Sequence, residues 1–253
     1  MSLFDFDKIT DWGPSLSAHV RGLVPPTAGK IILQLRPKYI EDARDVLLSD
    51  VCSEKAALVA AVTEWIRSQT VTAYHGSRLE EPEIGDIRTR GLLALVPGAR
   101  KEHLCRKLKQ HRRWQEAAGN LESVIQKLGE HEREGKRHGQ THATLSRAGL
   151  VRGFNHYLTH GSEFDQRAAS RLLGDEGKEL LASYGKPTLL TLAVPGDRAF
   201  EAANPWLSLV RDMPNFVREV IDVWSYWLAY PDFSVASQLF DCGLMFEHDV
   251  PPE

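Results

Sequence analysis

Apolar residues recur every three or four positions along SEKAALVAAVTEWIRSQ, residues 53–69, and put Ala57, Leu58, Ala61, Val62, Trp65 and Ile66 on one face of a helix that Ser53 can N-cap. YIEDARDVLLSD, residues 39–50, follows the same period, and EPEIGDIRTRG places Ile84 and Ile87 on a helix that ends at Gly91. Leu121, Val124, Ile125 and Leu128 form an i, i+3, i+4, i+7 stripe. FDQRAASRLL and GKELLASY read as helix broken near Gly174, and NFVREVIDVWSYWLAY as an apolar helix that must bury Trp224 and Trp227. Shorter runs carry β composition: IILQL (31–35), TVTAY (70–74), LLALV (92–96), THATLS (141–146), PTLLTLAVPGD (187–197) as a central strand, and GLMFEHDVPPE (243–253) as a terminal one. Helices and strands alternate irregularly, which predicts the α+β class.

Length and composition narrow the picture. A chain of 253 residues with 42% hydrophobic content can bury a true core. It contains no apolar run of about 18 residues, and its acidic start, MSLFDFDKITDWGPS, is unlike a signal peptide, so a cytoplasmic location is expected. Cys52, Cys105 and Cys242 lie far apart without CxxC spacing and are expected to be reduced thiols. A net charge of -3 argues against a chain that coats nucleic acid throughout. Charge is uneven, however: seven of the fourteen residues from Arg100 to Arg113 are Lys or Arg, opposed only by Glu102. This run opens a segment, about 100–142, that reads as a helical hairpin inserted between strands. Its basic face is either solvated or a candidate contact for RNA or DNA.

The common chemical motifs are missing. No GxGxxG, GxxxxGK[ST] or GxSxG occurs, and His131, His138 and His142 share a polar segment without the paired spacing of a metal site, so no metal is assigned. What remains is a repeated triplet, His75-Gly76-Ser77 and His160-Gly161-Ser162. The first closes a strand, precedes a short helix, and is followed by Gly91-Leu92 at the next strand. A glycine there lets a ligand approach the backbone, and a histidine beside it can donate to a ribose hydroxyl. The second reads as a helix-entry turn with Ser162 as N-cap.

In this respect residues 71–253 resemble the ADP-ribosyltransferase superfamily, the group of diphtheria-toxin-type toxins and poly(ADP-ribose) polymerases. The family's first motif, a His-Gly-Ser/Thr corner followed by a helix and a Gly-Leu step, falls on His75, Gly76, Ser77 and Gly91-Leu92. Its second, a strand tyrosine just before a helix, falls on Tyr157 in NHYLTHGSEFDQRAASRLLG. Its third, a glutamate on a late strand, falls on Glu247, with Asp241 as the alternative because the family acid usually opens that strand. The resemblance implies a split antiparallel ADP-ribosyltransferase-like core over 71–253, preceded by a strand and helical region, 1–70, with the 100–142 insertion as an addition.

It further implies NAD as substrate. Glu247 would stabilise the positive charge that develops on the ribose, His75 would fix a ribose hydroxyl, and the Gly76 backbone would hold the carboxamide. Tyr157 would stack on nicotinamide, and Ser77 and Arg78 would complete the binding corner, Arg78 toward the pyrophosphate. ADP-ribose would pass to a nucleic acid or a protein, or to water in a glycohydrolase. An NAD-dependent RNA 2'-phosphotransferase, which lacks the late glutamate, and a non-catalytic module of the same fold are the alternatives. A toxin-like enzyme of this kind implies a neutralising partner protein.

Overall fold

The computed structural model describes residues 3–131, 138–153, 155–203, 213–238 and 242–252. The elements in chain order are β1 (Leu3–Phe4), α1 (Ile9–His19), α2 (Ala28–Gln34), α3 (Ile40–Val46), α4 (Lys55–Arg67), β2 (Thr70–Leu79), α5 (Glu81–Arg90), α6 (Arg100–Leu108), α7 (Trp114–Ala117) and α8 (Leu121–His131). They continue with β3 (Thr141–Thr144), α9 (Arg147–Arg152), α10 (His156–His160), α11 (Glu163–Leu173), α12 (Asp175–Ala182), β4 (Lys186–Pro195), α13 (Gly196–Ala203), α14 (Asn215–Ala229) and β5 (Gly243–Phe246). The class is mixed α and β, with a five-stranded sheet among the described residues.

That sheet runs β1-β2-β3-β5, with β4 also paired to β2. β1 lies parallel to β2, Leu3 opposite Thr70, and β3 lies antiparallel to it, Tyr74 opposite Thr144. β2 is therefore the central strand. The expected centre, PTLLTLAVPGD, is β4, which among the described residues pairs with β2 alone and is largely half-exposed. Its apolar content reads as central because composition reports burial potential rather than the number of neighbours.

Two further strand expectations are corrected. IILQL lies mostly in helix α2, which buries Ala28 and Ile32, four residues apart, and packs along α14. Burial at helical spacing has overridden β propensity there. LLALV forms no named strand: among the described residues it makes an isolated antiparallel bridge, Leu92 with Val250, and Leu95 exchanges backbone hydrogen bonds with Gly139 and Gln140, as Pro97 follows and ends the run.

The chain divides into two compact units: residues 1–74, 144–149 and 191–244 form the first, and 75–143, 150–190 and 245–253 the second. The sequence reading divided the chain into residues 1–70 and 71–253; the compact units are built from interleaved segments. In the first unit α14 is the hub, packed by α1, α2, α3, α4 and α13. Phe4 meets Trp12, Trp65 and Phe216 at ring separations of 5.2, 5.4 and 6.0 Å, an aromatic core in edge-on and tilted contact. α4 buries Leu58, Val62, Trp65 and Ile66, as its period predicts, but Glu54 rather than Ser53 precedes it. On α14 Trp224 is buried and Trp227 only partly so.

The second unit has its own core, in which Leu104 and Leu108 of α6, Leu121, Ile125 and Leu128 of α8, and Phe164, Ala168, Ala169 and Leu173 of α11 interlock. The segment 100–142 is thus integral to that unit's packing, and it forms helices α6 to α8 before β3. Gly91, at φ 82°, closes α5 as expected, in a conformation that disfavours any side chain.

Candidate functional site

β2 carries His75, Gly76, Ser77 and Arg78 in unbroken strand. Side chains on a strand alternate, so Gly76 and Arg78 share one face and His75 and Ser77 the other. The His75 Nδ1 lies 2.7 Å from the carbonyl oxygen of His142. A carbonyl only accepts, so Nδ1 carries the proton. Burial lowers the affinity of the ring for a second proton, and the His142 carbonyl only partly opposes this. The neutral ring is left with Nε2 as an acceptor. The sequence reading expected this histidine to donate; in the neutral ring the one N–H donor is taken by the His142 carbonyl.

On the other face, a Cβ added at Gly76 would lie 3.1 Å from both terminal methyls of Leu150 in α9. That side of the glycine is covered by this leucine. Arg78 donates from Nε to the carbonyl of Tyr184 at 2.7 Å, which fixes the guanidinium beside β2. Gly161 sits against the same arginine, and a Cβ added there would lie 3.9 Å from the Arg78 Cβ. The two triplets, distant in sequence, thus meet at Arg78. Gly161 has a φ of 83°, and the Ser162 Oγ accepts the Asp165 N–H at 3.2 Å, so the second triplet is a turn and N-cap into α11, as expected.

Tyr157 does not lie on a strand. It sits in the short helix α10, its ring tilted against His156 at 4.1 Å, because Asn155 opens a helical turn that Gly161 closes. α10 leads directly to Gly161, which lies beside Arg78. Burial, together with Lys178, lowers the proton affinity of His160 in that helix. Glu247 is exposed and follows the last residue of β5 instead of lying within the strand. In the sheet β3 lies between β2, which carries His75, and β5, which leads to Glu247. Asp241, the alternative acid, lies outside the described residues.

The basic run has a different environment from the one its composition suggests. Arg100 pairs with Asp165, Nε to Oδ1 at 3.1 Å, Lys101 with Glu122, Arg106 with Glu80 at 2.6 Å, and Arg112 with Glu176 at 3.0 Å. His103 bridges Glu83 and Asp165 at 3.1 and 3.4 Å. Burial opposes ionisation of Asp165, but the Arg100 guanidinium and the His103 ring outweigh it and hold the carboxyl well below the usual range. Burial likewise opposes ionisation of Glu83, yet hydrogen bonds from His103 and the Glu80 backbone bring it down to about 2. Lys107 is buried in the same cluster, and its pKa is lowered by that burial. The acids that match this run lie up to 65 residues away, so no local pattern could announce them.

Among the described residues no helix is long and apolar enough to cross a membrane. The chain matches no family model, no curated protein and no solved structure.

Proposed function

We propose that the chain is an NAD-dependent ADP-ribosyltransferase of the His-Tyr-Glu type, with its site along β2 in an ADP-ribosyltransferase-like core. The observation that carries this reading is the His75 ring, held by its Nδ1–H on the His142 carbonyl with Nε2 left to accept from a ribose hydroxyl. In the reaction the C1'–N bond of NAD breaks, its electron pair leaves with neutral nicotinamide, and a nucleophile of the acceptor bonds to C1' and loses its proton to solvent. Glu247 would stabilise the cationic ribose. The acceptor is a nucleic acid or a protein.

A second reading, an acid-independent NAD reaction such as RNA 2'-phosphotransfer or a non-catalytic module, is favoured by the exposure of Glu247 and by the position of β3 between β5 and β2. One experiment separates them. Purified protein is given adenylate-labelled NAD and lysate split into protein, RNA and DNA fractions, and nicotinamide and label are followed for wild type, His75→Ala and Glu247→Gln. The first reading expects nicotinamide release and label on one fraction, reduced about 100-fold or more in both variants. Turnover that survives Glu247→Gln selects the second, and a wild-type protein that neither cleaves nor binds NAD overturns both.

A further inference from the structure

Residues 12–40 contain no Asp or Glu but carry Arg21, Lys30, Arg36 and Lys38. With 34 acids in 253 residues, a stretch of that length would hold about four. The end of the same stretch exposes apolar surface. Among the described residues seven large hydrophobic side chains are exposed, and three of them, Leu33 at 45%, Leu35 at 56% and Tyr39 at 57%, stand close together in the first unit, at the end of α2 and in the turn that leads to α3.

Local structure gathers these groups. α2 buries Ala28 and Ile32, which leaves Lys30 and Leu33, three residues apart, on its outer side. The chain then tightens: the Arg36 N–H donates to the Leu33 carbonyl at 3.2 Å, so Arg36, at φ 50°, is folded back toward Leu33. Lys38 holds its Nζ 5.0 Å from the centre of the Tyr39 ring. Among the described residues Lys30, Arg36 and Lys38 make no ion pair. The nearest acids in sequence, Glu41 and Asp42, open α3, and the Asp42 Oδ2 is taken by the backbone N–H groups of Lys38 and Tyr39, at 3.0 and 2.8 Å. Three unmatched cations are thus interleaved with two leucines and a tyrosine.

The apolar groups decide what such a surface fits. A nucleic-acid backbone would match the cations, but leucine side chains neither pair with phosphate nor stack on bases as aromatic rings do. An acidic amphipathic helix would match the charge, but it docks in an apolar groove, whereas Leu33 and Leu35 stand exposed at a helix end. An anionic bilayer answers both, because its headgroups attract Lys and Arg while its interface takes up leucine and tyrosine. We propose that the end of α2 and the turn into α3 dock the chain on an anionic phospholipid surface, with Leu33, Leu35 and Tyr39 entering the interface and Lys30, Arg36 and Lys38 against the lipid phosphates. The contact is peripheral and independent of the site on β2. Each cation near such a surface contributes roughly fivefold, so three give a preference over a neutral surface on the order of a hundredfold.

The test is sedimentation of the full chain with vesicles of phosphatidylcholine, alone or with about 30% phosphatidylserine. Binding should be at least about tenfold tighter to the anionic vesicles and should weaken as salt rises from about 0.1 to 0.5 M. Arg36→Glu with Lys38→Glu should lower the affinity at least about 25-fold, and Leu33→Ser with Leu35→Ser at least about tenfold. All four positions are exposed, so the urea midpoints of both double variants should stay at the wild-type value, and Arg36→Lys should bind as wild type. No binding to the anionic vesicles, equal binding to the neutral ones, or binding that survives either double change would overturn the proposal. Tighter binding to a single-stranded RNA oligonucleotide, lost with the two glutamates but not with the two serines, would overturn it in favour of nucleic acid.

Discussion

Removing Asp165 offers the most direct measure of what the charged cluster in the second unit contributes. Its side chain is 5% exposed, whereas that of Arg100 is 31% exposed. At the 3.1 Å of the Nε–Oδ1 contact, and with an effective dielectric near 20, the Coulomb attraction is about 5 kcal/mol. Desolvation offsets much of this in the intact pair. Breaking a fully buried pair costs about 3–5 kcal/mol because a charge is left unmatched. Arg100 keeps water contact and His103 keeps Glu83, so Asp165→Asn should cost less, about 2–3 kcal/mol. Urea unfolding followed by circular dichroism reads the cost, and hydrogen exchange in α6 and α11 locates it.

The pH dependence has a definite sign. Asp165 and Glu83 both have folded pKa values below their unfolded ones, so their stabilisation is present above about pH 4 and is lost as pH falls toward 2. Asp165→Asn should make that acid slope shallower. A cost below about 0.5 kcal/mol, or an equal cost in an Arg100→Ala background, would refute the reasoning, since independent sites add and coupled ones do not.

Gly29→Ala should destabilise the first unit by about 3 kcal/mol, because the new methyl would lie 2.1 Å from the Leu228 carbonyl oxygen and force α2 off α14; an unchanged urea midpoint would contradict this close approach. His75 should titrate below 6.5 by NMR with Nδ1 protonated in the neutral form. Its contribution to stability should be complete above about pH 6.5 and lost as pH falls through the lowered value; a raised pKa would contradict the assigned burial and hydrogen bond.

Much of the helical framework is legible in the sequence, since α4, α8 and α14 each bury a face whose period can be counted. The strands are less so. The β-branched start of β2 marks it as a strand, but its central position depends on β1, β3 and β4, which come from widely separated segments. IILQL shows why local composition misleads: Ile32 is buried at helical spacing from Ala28 while Leu33 and Leu35 remain exposed. Of the candidate site, Ser162 is readable as a cap because capping is local. The meeting of Arg78 with Gly161, the covering of Gly76 by Leu150 and the placement of Tyr157 on α10 depend on tertiary packing. The pairing of Arg44 with Asp222 is invisible in the sequence for the same reason, as the two are 178 residues apart.

The interleaved path of the chain bears on its synthesis. α2 and α3 reach the ribosome exit long before α14, the helix that covers them, and the interval from Val46 to Asn215 is roughly 10–30 s at about 5–20 residues per second. During that time the apolar faces around Ile32 and Ala43 have no permanent cover. The core of the first unit therefore cannot be completed until α14 emerges. A truncated product ending before α14 should be a substrate for degradation rather than a stable half-protein.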